Sequence, residues 1–217
     1  SRAEVAEQRR RHYQLLAAVF GRELTREFLE QLSDAEIAKD LETCGVRYQD
    51  RLWRYPPDER LTELEAEYAH LFVGPGMHIS LQESVQRGEG QLWGTHTCDV
   101  VQWYARCGYR VDPAWTDLPD HLAAELQFLG VLTEREAVCW RRADAAQAMV
   151  LARLQLEFLQ QHPLQWVPGV TQQISTQAVW ALYQTFASLL NRVLAGDVVH
   201  LQSRGAPRAY VRGTSCS

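Results

Sequence analysis

Apolar positions along the chain recur three and four residues apart almost throughout, and sustained two-residue alternation between turn residues is hard to find. The pattern predicts an all-α protein, a single-domain helical bundle. A first helix is expected over Ala3–Phe20, with Tyr13, Leu16 and Phe20 on one side and Gly21 as its stop. Short helices over Thr25–Leu32 and Asp34–Thr43 follow, the second closed by Gly45. The next starts after Pro56-Pro57 and sets Leu61, Leu64, Tyr68, Leu71 and Phe72 on one stripe, with Glu63, Glu65 and Glu67 mostly off it. Gly74-Pro75-Gly76 ends that helix abruptly.

From there to Gly94 the chain, including Ser80–Gly90, shows no convincing period. A loop of that length inside a compact domain is uncommon and often functional, so the binding surface is expected there. Thr95 or Thr97 can cap a helix carrying Val100, Tyr104 and Cys107 and stopped by Gly108. After the loop Gly108–Asp117, a long helix over Leu118–Ala137 turns Leu122, Leu126, Leu129 and Leu132 inward, with Pro119 and Asp120 suited to its first turn. Helices over Arg142–Gln161 and Thr171–Ala195, separated by His162–Gly169, complete the bundle. The domain is expected to occupy residues 1–200 and a flexible tail residues 201–217. There is no internal repeat.

Composition narrows the functional classes. A 217-residue chain with 46% apolar and 23% charged residues has enough material for one self-sufficient core. No apolar run approaches the roughly 20 residues of a membrane helix. The charged stretch Ser1–Arg11 lacks the centre of a secretory signal, so a cytoplasmic location is expected. Cys44, Cys98, Cys107, Cys139 and Cys216 include no C-x-x-C pair, and the odd count fits a reducing compartment. A net charge of -5 disfavours nucleic acid, whose phosphates call for clustered Lys and Arg, and favours basic ligands.

Catalytic and metal chemistry find little support. Gly74-Pro75-Gly76 lacks the G-K-[ST] of a phosphate loop, and Pro75 removes an N–H. His121 and Glu125 stand one helical turn apart, but a zinc site needs three or four ligands. Asp120, His121 and Ser84 are the residue types of a hydrolase triad, yet adjacent helix positions project about 100° apart and Ser84 has no nucleophile elbow. The bland reading makes Asp120 a helix-terminal residue and His121 a half-buried polar contact; their place at a helix entrance leaves both available to a ligand. Among seven tryptophans, Trp103, Trp140 and Trp180 read as core, whereas Trp93 and Trp115 sit in irregular segments and suit surface contact.

Several short stretches carry a resemblance. Tyr68, Leu71-Phe72-Val73-Gly74-Pro75, Glu83-Ser84-Val85, Leu92-Trp93-Gly94 and Pro119-Asp120-His121 with Glu125-Leu126-Gln127-Phe128 follow, in order and spacing, the pattern of the TorD/DmsD/NarJ family. The resemblance spans about Leu61–Leu132. The loop Ile79–Ser84 departs from it, lacking the usual prolines and aromatic residue. The resemblance implies a non-enzymatic, all-helical cytoplasmic chaperone without a cofactor of its own. Such a chaperone binds the N-terminal twin-arginine leader, or a related N-terminal segment, of a DMSO-reductase-type catalytic subunit until molybdopterin is inserted. By position it implies Tyr68, Leu71, Phe72, Gly94, Asp120 and His121 as leader contacts, and Ser84 and Trp93 join them as candidates. An apolar groove from Leu71, Phe72 and Trp93 is expected, with Asp120 or the Glu63–Glu67 cluster meeting a guanidinium. A monomer is expected, with a segment-exchanged dimer as alternative. The competing readings are a generic helical interaction module with another partner and a small enzyme using His121 as acid or base.

Overall fold

The computed structural model describes residues 1–205 apart from Glu23, Cys44, Val46, residues 75–77 and residues 91–92. Expectations that involve Pro75, Gly76, Leu92, Cys44, Cys216 or the end of the tail lie outside the described residues.

Helices dominate, and among the described residues the sole extended pairing is an isolated antiparallel bridge between Gln82 and His121. The helices are α1 (Arg2–Gly21), α2 (Arg26–Ser33), α3 (Ala35–Thr43), α4 (Pro57–Tyr68), α5 (Glu83–Gln86), α6 (Thr95–Arg106), α7 (Leu122–Arg141), α8 (Ala145–Gln161), α9 (Pro163–Gln177) and α10 (Ala181–Gly205). A 3-10 turn occupies Arg51–Arg54, and a π turn, Ala69–Val73, extends α4. The core is built around α7, whose residues Leu122–Leu126, Phe128–Gly130, Leu132 and Thr133 are all buried. Helix α1 runs antiparallel along it: a Cβ on Gly21 would lie 3.1 Å from Ala123 Cβ, and one on Gly130 would lie 3.6 Å from Tyr13 Cβ. Helices α8, α9 and α10 close the other side. Each large apolar side chain enclosed this way, such as Phe20, Phe128, Phe158 or Phe186, contributes roughly 1.5–3 kcal/mol of transfer free energy.

A buried polar network ties this bundle together. Arg9 of α1 donates from Nε to Asp197 Oδ1 (2.8 Å), from Nη1 to Glu136 Oε2 (2.9 Å) and from Nη2 to Gln155 Oε1 (2.6 Å). Tyr13 donates to the other Asp197 oxygen at 2.6 Å, and the Trp140 indole to Glu136 at 2.8 Å. One guanidinium thus organises α1, α7, α8 and α10, and charge-assisted bonds of this geometry offset the desolvation of the ions.

Three boundaries differ from the sequence reading. Helix α7 begins at Leu122, not Leu118, because His121 caps it and Asp120 is drawn into backbone pairing with Glu83. The expected 162–169 loop is helical from Pro163, which occupies the tolerated first turn, and Pro168 sits inside α9. The expected Thr171–Ala195 helix is instead broken at residues 178–180 and then continues, as α10, past Gly196 to Gly205. The break is made by remote carboxylates. Glu67 accepts from the N–H groups of Val179 (2.5 Å) and Trp180 (2.9 Å), and Asp50 from that of Ala181 (2.8 Å). These satisfy donors that a helix start leaves unpaired. Glu67 is therefore buried rather than a solvated charge.

Candidate functional site

Two stretches of the family pattern, around Glu83-Ser84 and Pro119-Asp120-His121, meet in a short clamp. Glu83 N–H donates to the Asp120 carbonyl (2.9 Å) and Leu122 N–H to the Leu81 carbonyl (2.7 Å). Ser84 N–H donates to Asp120 Oδ2 at 2.8 Å, and Gln82 Nε2 to Asp117 Oδ1 at 2.9 Å. The clamp is interior: Asp120 is 0% and Ser84 1% exposed. His121 points inward as well, its Nδ1 accepting from Ala123 N–H at 3.1 Å and its ring meeting Trp115 edge-on. Burial lowers its pKa to about 4, against the pull of Asp117 and Asp120 toward protonation, so it is a neutral cap at physiological pH. The expectation that Asp120 and His121 stand open to a ligand at a helix entrance is corrected accordingly: both side chains are enclosed because the extended pairing with residues 81–84 covers them.

Behind the clamp lies a group of acids. Glu83, wholly buried, receives Arg87 on Oε1 (2.6 Å) and faces His162 Nδ1 with Oε2 (2.8 Å). The other His162 nitrogen lies 3.5 Å from Asp99. Glu125, also wholly buried, has its pKa pushed well above the usual carboxylate range, first by burial and then by Glu83 and Asp120. Among the described residues, no group of three or more His, Cys, Asp or Glu side chains is arranged to hold a metal ion.

The remaining candidates divide sharply. Tyr68, Leu71 and Phe72 come together in the core, where Phe72 meets Tyr68, Tyr183 and Phe20 at ring separations of 5.1, 5.7 and 6.4 Å. They do not line a surface groove with Trp93, because they pack against Tyr183 of α10 and Phe20 of α1. Gly94 is buried as the residue before α6, and a Cβ there would fall 2.2 Å from the carboxylate of Glu89, which accepts from His96 N–H and pairs with its imidazole. Trp93 alone is presented to solvent, 58% exposed, at a φ of 58° that a bulky residue adopts only when its surroundings impose it.

Trp93 overhangs a mainly apolar groove of about 900 Å³ lined also by Val101, Tyr104, Tyr109, Val111 and Pro119, with Arg110 as its one charged member among the described residues. Its floor touches the clamp, because Tyr104 donates to the Pro119 carbonyl at 2.9 Å, next to Asp120. A second cavity, of about 680 Å³, lies along the same loop and carries Trp115, Asp112 and Asp117. Sequence reasoning missed Tyr109, Val111, Val101 and the acids Glu83 and Glu125 as parts of one structure. The available signal was the cluster of apolar residues in the 109–115 loop, where a solvated loop would be polar.

The sequence of the family described as nitrate reductase delta subunit matches residues 34–172. The chain is 26% identical over 196 residues to the chaperone protein TorD of Vibrio vulnificus, covering 85% of this chain and 90% of that protein. It is 27% identical over 201 residues to TorD of Vibrio cholerae, covering 84% and 87%. It is also 31% identical over 123 residues to the chlorate reductase assembly chaperone protein of Ideonella dechloratans, covering 55% and 62%. No helix among the described residues is long and apolar enough to cross a membrane. With a family match over most of its length, chaperone relatives aligned along more than four fifths of it, and an all-helical fold, the chain belongs to the nitrate reductase delta subunit family, which includes the TorD and NarJ chaperones.

Proposed function

We propose that this protein is a molybdoenzyme maturation chaperone that works in the cytoplasm, without catalysis, by binding an arginine-bearing N-terminal leader or related segment of its client. The observation that carries the reading is Trp93, a large aromatic side chain held in a strained conformation over an apolar groove in the middle of the family's matched span. An apolar leader stretch fits such a groove, and aromatic anchors are where peptide-binding energy concentrates. Asp120 and Glu67 are enclosed and bonded, so the guanidinium contacts fall to exposed carboxylates beside the groove, of which Asp112 and Asp117 in the adjoining cavity are the nearest along the loop. Tyr68, Leu71, Phe72, Ser84, Gly94, Asp120 and His121 then serve the site by setting its frame.

The test is isothermal titration of the protein with a panel of twin-arginine leaders and matched versions carrying lysine at both arginines. Saturable binding that weakens in the lysine versions is expected, since lysine does not reproduce a bidentate guanidinium pair. Trp93→Ala should lower the affinity by roughly thirtyfold, the scale of an interface hot spot. If no leader of the panel binds, the reading gives way to a helical interaction module with another partner.

A further inference from the structure

Glu125 is a buried acid without a cation. It lies in the first turn of α7 with 0% exposure, and neither oxygen accepts a hydrogen bond of full geometry, the Trp166 indole interacting with it only weakly. The groups that face it are named by the elements around it. From α5 comes Glu83, whose own oxygens are already matched to Arg87 and His162. From the segment before α7 comes Asp120, engaged with Ser84 N–H. The Trp166 indole approaches from α9, and the Tyr104 phenol from α6. Two carboxyl groups pressed together, with cations available to one of them, cannot both be ionised at tolerable cost. The second must hold a proton, and a protonated carboxyl beside a carboxylate is a donor aimed at an acceptor.

We propose that Glu125 is a positioning residue whose single proton, donated to Glu83, fastens the 81–84 and 119–122 clamp to α7, so that the floor of the Trp93 groove loosens as pH rises. The route to the groove is short. Asp120 adjoins Pro119, Pro119 accepts the Tyr104 hydroxyl, and both Pro119 and Tyr104 line the groove. The device concerns the protein alone; only its effect on client affinity rests on the peptide-binding reading above.

The sign follows from linkage. When the clamp opens, Glu125 meets water and its affinity for the proton falls to that of an ordinary glutamate, about pKa 4.3. Above that pH the open state binds fewer protons than the closed state. The opening equilibrium therefore grows with pH, by up to about tenfold per unit, until Glu125 ionises in the closed state. His121, buried neutral, works in the opposite direction and only below its ordinary value of about 6.5. Measurements above about pH 6.5 therefore leave its contribution behind.

Hydrogen exchange reads the clamp directly, through the amides of Glu83, Ser84 and Leu122, each bonded across it. After correction for intrinsic exchange, their opening constants in the wild-type chain are expected to rise with pH by up to tenfold per unit, while Glu125→Gln, neutral and still a donor, keeps them closed and flat. The same rise in Glu125→Gln, or no rise in the wild type, overturns the proposal. Should the variant fail to fold, infrared spectroscopy of the wild type decides, since the absence of a protonated-carboxyl band at neutral pH also overturns it. Titration of the leader panel at the same pH values separates the two claims. Binding that weakens with pH in the wild type but not in Glu125→Gln ties the clamp to the groove. Binding of no leader, with the exchange pattern intact, sinks the peptide reading and leaves the proton in place.

Discussion

Replacing Asp120 by alanine separates support from contact. In the structure the carboxylate is fully enclosed and Oδ2 accepts from Ser84 N–H at 2.8 Å, while the backbone carbonyl holds Glu83 N–H. The variant keeps the backbone bond but leaves the Ser84 N–H buried without a partner, which costs about 1.5–3 kcal/mol for a bond to a charged acceptor. Each kcal/mol shifts Tm by about 2–4 °C in a chain of this size, so a fall of about 3–12 °C is expected. The assay is thermal unfolding of Asp120→Ala beside Trp93→Ala, with leader titration of both. Trp93→Ala, at a largely exposed position, should keep Tm within about 2 °C while losing affinity; Asp120→Ala should lose stability, with affinity reduced only as the clamp opens. An Asp120→Ala protein with unchanged Tm and abolished binding would place that carboxylate on the ligand and refute the assignment of Asp120 to the frame.

Two further substitutions test the surroundings. Arg9→Met should destabilise the bundle by about 3–5 kcal/mol, because it strands Glu136 and Asp197 in the interior without their cation. Denaturant unfolding of the single variant and of Arg9→Met combined with Asp197→Asn measures it, and partial recovery in the pair is expected. Gly94→Ala should cost about 1–2 kcal/mol by driving the Glu89 carboxylate from the start of α6, where it accepts from His96 N–H. Adding Glu89→Ala should bring no further loss in thermal unfolding.

The sequence made the helices legible because an apolar stripe is a local signal, and most of them fall within a few residues of the expected spans. Boundaries failed where a remote side chain decides them. The break between α9 and α10 depends on Glu67, 112 residues before Val179, and nothing near Val179 announces it. Gly196 reads as a stop by its intrinsic preference, but α10 is anchored before it by buried Val193 and Leu194 and after it by buried Asp197 and Leu201, which outweighs the roughly 1 kcal/mol that glycine costs in a helix. The site was legible as a set of residues and not as an arrangement. Ser84, Asp120 and His121 do converge, yet their burial follows from a bond spanning 36 residues. Glu125 was visible as a candidate metal partner of His121 and as a position of the family pattern, but not as the neighbour of Glu83, because that acid lies on another element.

The division between enclosed motif and exposed groove has a consequence for how such a chaperone can select its client. Asp120, Glu83 and Gly94 each sit where a changed side chain leaves a buried donor unpaired or drives atoms together, so physical cost alone restricts what can stand there. The tip of Trp93 and the exposed Val101, Arg110 and Asp112, along the groove and the adjoining cavity, carry less of that cost. A chain can therefore keep the whole motif, and with it the shape of the clamp, while altering the wall and the rim to suit a different leader. The loop Ile79–Ser84 illustrates the point. It lacks the prolines and aromatic residue expected of the family pattern, but its role in the clamp is carried by backbone groups of Leu81, Glu83 and Ser84, which any non-proline side chain supplies. Ile79, Leu81, Glu83 and Ser84 are buried, so departure from the pattern at these positions alters the packing around the clamp and leaves its backbone hydrogen bonds intact.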